Sequence, residues 1–138
     1  MLEIRGISKT FNAGTPNEVR ALQNIDLTVD EGSFVIVIGT NGSGKSALQN
    51  AVAGTFFVDS GAISLAGHDV TNWPEHRRAR FIGRVFQNPF SGTSPNMSIA
   101  ENLALAARRG QKRGLGWALN SSLMSDLCER VRMLNMKL

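Results

Sequence analysis

An α/β fold, in which a buried strand hands over to a helix through a glycine-rich loop, is predicted by three features of the 138-residue chain. The run Phe34-Val35-Ile36-Val37-Ile38 is apolar without alternation, the pattern of a central parallel strand covered on both faces. Gly39-Thr40-Asn41-Gly42-Ser43-Gly44-Lys45-Ser46 follows directly and fits G-x-x-x-x-G-K-[ST] at every fixed position. A helix-compatible stretch, Ala47 to Ala53, then runs up to Gly54.

The loop has a definite chemistry. Gly42 and Gly44 let the backbone take positive φ and approach an anion with no Cβ in the way. Successive N–H groups, continued by the free N–H groups of the helix, form a concave anion site. Lys45 supplies a point charge to the β- and γ-phosphates of a nucleotide, and Ser46 a hydroxyl for Mg²⁺. At average amino-acid usage the four fixed positions coincide by chance in roughly one chain in a few hundred of this length. In its strand–loop–helix setting the motif therefore points to nucleotide binding.

The other elements follow in order. Leu2 to Gly6 reads as a short strand. Ile25, Leu27 and Val29 alternate with Asp26 and Thr28, as in a half-buried antiparallel strand, and Asp30-Glu31-Gly32 turns the chain. Asp59-Ser60-Gly61 leads into a strand with Ile63 and Leu65 on one face. Pro74 suits the first turn of a short helix through Glu75 and His76 to Arg80, and Ile82 to Phe86 reads as the next strand. From about Thr93 the chain becomes helical. Ser98-Ile99-Ala100-Glu101 is a capping box, and the helix it starts should stop near Gly110. Gln111 to Gly116 reads as a basic loop. A last helix begins after Ser121 or Ser122, with Leu123, Leu127, Val131 and Leu134 on its core face. Asp126 early, and Arg130, Arg132 and Lys137 late, suit its dipole.

Composition narrows the function classes. A hydrophobic content of 42% with 19% charged residues belongs to a folded chain rather than a disordered one. No apolar run approaches the roughly 20 residues that span a bilayer, and the N-terminus does not resemble a signal peptide. The lone Cys128 excludes an internal disulfide and is expected to pack within its helix. The net charge of +4 comes mainly from Arg77, Arg78, Arg80 and Arg84, then Arg108, Arg109, Lys112 and Arg113. Neither cluster interleaves aromatics for base stacking, so both are expected to be solvated or docking faces, with no direct nucleic-acid binding. His68 and His76 read as surface or turn residues.

Many proteins share such a loop, and the discriminating residues lie elsewhere. Leu2-Glu3-Ile4-Arg5-Gly6-Ile7-Ser8-Lys9-Thr10-Phe11 resembles the first strand of the ATP-binding subunits of ABC transporters. Ala21 to Val29 with Glu31-Gly32 resembles their second antiparallel strand and turn. Asp59-Ser60-Gly61 with Ile63, the Q-loop-like Val85-Phe86-Gln87-Asn88-Pro89, and Ser98 to Leu103 continue the match along essentially the whole chain. The resemblance implies a P-loop NTPase core, with parallel strands and an antiparallel β subdomain, over 1–93. It implies the beginning of an α-helical subdomain over 94–138, hence the N-terminal part of such a subunit.

By the same resemblance the ligand is ATP with Mg²⁺, held by Gly39, Thr40, Asn41, Gly42, Ser43, Gly44, Lys45, Ser46 and Ala47. Phe11 stacks on adenine, with Val19 beside the base, and Asn41 approaches the γ-phosphate. Gln87 contacts Mg²⁺ and the attacking water, so Lys45 and Gln87 are the catalytic candidates and Ser46 and Gln87 the metal candidates. Ala47 departs from the family's threonine at the α-phosphate; its N–H remains, which implies weaker binding. The implied partners are transmembrane permease subunits, a second ATP-binding subunit in a head-to-tail dimer, and a solute-binding protein. The implied location is the cytoplasmic face of a membrane. Phe90 to Pro95 resembles the ATPases of importers of amino acids or similar solutes. The family's L-S-G-G-Q signature, its Asp-Glu after an apolar strand, and a histidine beyond the Q-loop do not occur in the sequence. Phe56-Phe57-Val58-Asp59 and Val29-Asp30-Glu31 imitate the acidic motif in the wrong place. Binding without hydrolysis is therefore the alternative expectation. A GTPase is disfavoured, because N-K-x-D is missing.

Overall fold

The computed structural model describes residues 1–110 and 121–134, in two units, Met1–Ile82 and Gly83–Leu138. In the first unit β1 (Leu2–Phe11) pairs antiparallel with β2 (Val19–Val29), from Leu2 opposite Val29 to Phe11 opposite Val19. Both strands outrun their sequence pattern: β1 continues through polar Lys9 and Thr10, paired with Leu22 and Arg20 of β2, and Ser8, paired with Ser60, which periodicity alone leaves unassigned. On the other side of β1 lies β3 (Ser60–Leu65), followed by β4 (His68–Asp69), giving the order β2-β1-β3-β4. Every pairing is antiparallel. As expected, Ile63 and Leu65 are buried.

The helix α1 (Lys45–Ala53) covers this sheet. Its Ala51 joins the buried cluster of Ile4, Ile7, Leu22, Ile63, Leu65 and Val70, and Ala47, Leu48 and Val52 pack around it on the same helical face. Full burial of one such isoleucine stabilises by about 1.5–3 kcal/mol. The cluster, more than helix propensity over nine residues, holds α1 in place.

Two expected strands are not formed among the described residues. Phe34 to Ile38 joins no ladder, and its side chains are 88%, 46%, 70%, 43% and 90% exposed instead of covered on both faces. Ile82 to Phe86 likewise joins none, with Val85 96% exposed. The physical reason is common to both. A parallel strand completes its backbone hydrogen bonds only through neighbours, and the described sheet is antiparallel throughout. Smaller corrections concern α2 (Glu75–Arg78), which ends two residues early. Pro74 stands before its first turn with extended backbone, φ −69 and ψ 159.

The second unit contains a short 3-10 turn, Pro89–Ser91, then α3 (Ile99–Ala107) and α4 (Ser121–Met133). Ser98 and Glu101 form the expected capping box. Asn102 anchors the preceding loop: its amide donates to the carbonyls of Ser94, Met97 and Ser98 at 3.0–3.2 Å and accepts from the Ser94 N–H at 2.8 Å. On α4, Leu127 is buried and Asp126 pairs with Arg130 at 3.0 Å. Leu134 is 68% exposed, beyond the last turn of α4 and so off the expected stripe. Cys128 is exposed rather than packed, because it is the neighbour of Leu127 and points off that face. The expectations for Gln111 to Gly116, including Lys112 and Arg113, and for Lys137 lie outside the described residues.

Candidate functional site

The glycine loop is built by backbone geometry at its two ends. Gly42 and Gly44 take φ of 84 and 89, and the Ser43 N–H donates to the Thr40 carbonyl at 3.2 Å, turning the chain into α1. Gly44 is fixed twice over. Its φ favours glycine, and a Cβ there would stand 2.7 Å from the Ala21 carbonyl oxygen of β2. The loop therefore sits directly on a sheet strand.

No side chain caps α1, and no acid occupies its first turn. Its leading N–H groups have no intrahelical acceptor, and the dipole makes this end favourable to an anion. Lys45 is half-buried and folds back over the loop, its ammonium donating to the carbonyls of Gly39 at 2.7 Å and Thr40 at 2.6 Å and to Ser43 Oγ at 3.2 Å. A cation is thus tethered over the concave loop by neutral oxygen acceptors. Ser46 is exposed in the first turn of α1, while Ala47 faces the core and leaves only its N–H for a ligand. Gly39 to Ser43 are exposed, while Gly44 is half-buried.

Phe11 ends β1 in the same unit, half-buried, its ring edge-on to Phe56 with centroids 5.1 Å apart. The Lys9 ammonium stands 5.6 Å from the Phe11 centroid and 5.8 Å from that of Phe56. Asp59 holds that ammonium at 2.6 Å and accepts from the Thr10 N–H at 2.7 Å. The Lys9 hydrogen bond, then the Thr10 N–H, keep the Asp59 carboxyl below its ordinary pKa. Both of its oxygens serve the fold. Val19, opposite Phe11, is 54% exposed. Gln87 lies in the second unit, exposed, just ahead of the 3-10 turn.

Among the expected solvated arginines, Arg78 is the correction: it is 1% exposed. Its guanidinium donates to four carbonyls, Trp73 at 2.8 Å, Ala51 at 2.7 Å, Val52 at 3.0 Å and Thr71 at 3.0 Å. Burial pulls its pKa below the usual value, and the charge of Asp69 opposes that. Two of those acceptors lie in the last turn of α1, so a buried cation stands at the end of the helix opposite the loop. No sequence signal separates Arg78 from its neighbours Arg77 and Arg80. Arg80 and Arg84 are spent on aromatic faces, 4.6 Å from the centroids of Phe81 and Phe86.

Residues 22–137 match the family described as ABC transporter. A tyrosine transport ATP-binding protein of Clostridioides difficile is 41% identical over 113 residues, covering 80% of this chain and 44% of the relative. The sulfate/thiosulfate import ATP-binding protein CysA of Methylococcus capsulatus is 40% identical over 114 residues, 80% of this chain and 30% of its own. The chain thus spans less than half the length of these two relatives. A dimeric ATP-binding cassette in a post-hydrolysis state, bound to ADP and Pi, superposes with a TM-score of 0.78 over 99% of this chain and 58% of that one. At 22% identity that likeness shows the fold, an ATP-binding cassette of the P-loop NTPase type. Given a family match over most of its length, the chain belongs to the ABC transporter family.

Proposed function

We propose that this chain is the nucleotide-binding part of an ABC-type ATP-binding subunit and holds Mg-ATP at Gly39–Ala47. One observation carries the reading: an uncapped helix N-terminus under a glycine loop, with the Lys45 ammonium held over it by loop carbonyls. A phosphate oxygen replaces neutral carbonyl partners with an ionic one, so that donor and acceptor both carry charge. Asn41 lies beside the γ-phosphate, and Phe11, with Val19 next to it, takes the adenine. Residues 94–138 are the start of the helical subdomain.

Mg²⁺ fits this donor set. No group of three His, Cys, Asp or Glu side chains stands together among the described residues. That suits an ion carried on the phosphates and held by the Ser46 hydroxyl, the donor that this unit offers, rather than by a protein cage. When bound it neutralises charge on the β- and γ-phosphates. In the intact subunit Gln87 also orients the attacking water. A second subunit, head to tail, completes each site with its signature motif, and closure drives permease subunits. This places the protein at the cytoplasmic face of a membrane, with a solute-binding protein supplying substrate if it imports. The ATP-binding names of the relatives and the dimeric cassette support this reading. No helix among the described residues is long and apolar enough to cross a membrane, as a peripheral subunit requires.

Titration calorimetry with Mg-ATP tests the site. The 138-residue chain is expected to bind, and Lys45→Ala to weaken binding by roughly 10–100-fold, the worth of one hydrogen bond to a charged group. Equal affinity in the two proteins overturns the assignment. The signature, an Asp-Glu pair in the family's position and a histidine beyond the Q-loop do not occur in this sequence. We therefore expect binding without steady turnover. Hydrolysis abolished by Lys45→Ala would mean that another group in the chain activates water.

A further inference from the structure

The phosphate loop and the proposed adenine ring belong to different elements, α1 and β1, so something must register one against the other. Two contacts do so at opposite ends of α1. At the first, Gly44 rests on the Ala21 carbonyl of β2 with no room for a Cβ. At the second, Arg78 reaches the Ala51 and Val52 carbonyls in the last turn of the helix.

The far side of Arg78 leads back to the sheet. Its Nη2 donates to the Thr71 carbonyl, and Thr71 Oγ1 accepts from the Ile63 N–H of β3 at 2.9 Å. β3 in turn pairs with β1, the strand that ends in Phe11. Thr71 is itself held by Asp69, which accepts from its hydroxyl at 2.6 Å and its N–H at 2.9 Å. The chain of contacts is continuous: β1, β3, Thr71, Arg78, the end of α1. Gly54 leaves the space for it, since a Cβ there would stand 2.8 Å from Arg78 Nε. The helix is already closed without the arginine. Thr55 and Gly54 donate to Asn50 and Ala51 at 3.1 and 3.2 Å, the Schellman pattern. What the guanidinium adds is a link from that end to the sheet.

We propose that Arg78 is a positioning residue for nucleotide binding, fixing α1 in register with the sheet so that the phosphate loop and Phe11 engage one ATP molecule together. The inference rests on the proposed function, because it takes Phe11 as the base-binding ring. A ligand that touches only the loop does not need the register, whereas one that spans loop and ring does.

The test compares Mg-ATP with Mg-tripolyphosphate, which carries the phosphates without the base, on the wild-type chain, Arg78→Lys and Phe11→Ala. Arg78→Lys keeps the charge but gives up the planar fork that reaches several carbonyls at once. It is expected to lose about tenfold in ATP affinity while tripolyphosphate binding stays within about twofold, matching the selective loss in Phe11→Ala. Equal loss for both ligands, or for neither, overturns the positioning role. Should Arg78→Lys not fold, Thr71→Val, which removes the hydroxyl that ties the link to β3, must give the same selective loss, and parallel or absent loss there overturns the proposal. If the wild-type chain binds neither ligand, the nucleotide-binding reading itself fails and this inference with it. If wild type binds both ligands equally and Phe11→Ala changes nothing, the ring assignment fails and the register has no role.

Discussion

The helices α1 and α3 are each nine residues long and begin with the same problem, leading N–H groups without intrahelical acceptors, yet they resolve it in opposite ways. At α3 the chain satisfies itself. Ser98 Oγ accepts from the Glu101 N–H, and Glu101 Oε2 accepts from the Ser98 N–H at 2.7 Å and its hydroxyl at 2.8 Å. At α1 a left-handed glycine stands where a capping side chain would be, and no acid follows it. The difference teaches that capping is not what secures α1, and on the proposed reading its N-terminus is left open for an occupant. The helix with a filled N-terminus is structural; the one with an open N-terminus is the binding element we propose. Stability for α1 comes from its other end and its buried face.

The comparison breaks first at Gly44. Gly44→Ala asks α1 to begin like an ordinary helix, but it sets an alanine at φ 89 and a Cβ 2.7 Å from the Ala21 oxygen. The left-handed conformation and the overpacking together should cost about 2–4 kcal/mol, read as a lowered urea midpoint at unchanged slope. A midpoint equal to wild type would show that the loop does not rest on β2.

A second substitution sharpens the contrast by giving α1 what α3 has. Ser46→Asp places a carboxylate in the first turn, where the dipole favours it by about 0.3–1 kcal/mol. The same carboxylate competes with phosphate for the N–H groups and for Lys45. Mg-ATP affinity should therefore fall at least about tenfold while the urea midpoint holds or rises. Stability and affinity moving down together would mean that the open end is not a binding site but a weak point of the fold.

How much of this was legible in the sequence depends on the range of the interaction. The loop, the α3 capping box and the alternation of β2 are local patterns, set by residues within a few positions of each other, and the structure reproduces them. Phe34–Ile38 is equally local in composition, but a parallel strand exists only through neighbours distant in sequence, and the described sheet offers none. Arg78 failed for a related reason. In an Arg-Arg-Ala-Arg stretch its burial depends on the C-terminal end of α1, some 26 residues earlier, and on Thr71, so a rule that counts charges assigns it to solvent. Asn102 was missed likewise, because asparagine inside a helix gives no hint that its amide gathers three loop carbonyls.

The smallest expected effect lies on the capped helix. Ser98→Ala removes the hydroxyl that accepts from Glu101 N–H, which should destabilise α3 by about 1 kcal/mol, measured as faster hydrogen exchange at Glu101. It also carries a pH signature. The Ser98 hydroxyl, then the Ser98 N–H, hold the Glu101 carboxyl below its ordinary pKa. A group whose folded pKa is depressed contributes stability above its unfolded pKa and loses it as pH falls through the folded one. The gap between wild type and Ser98→Ala should therefore be widest at neutral pH and narrow as the solution is acidified through and below the ordinary glutamate range. A gap constant from neutral pH to acid would mean that Glu101 does not close the box, and the contrast with α1 would then rest on the serine alone.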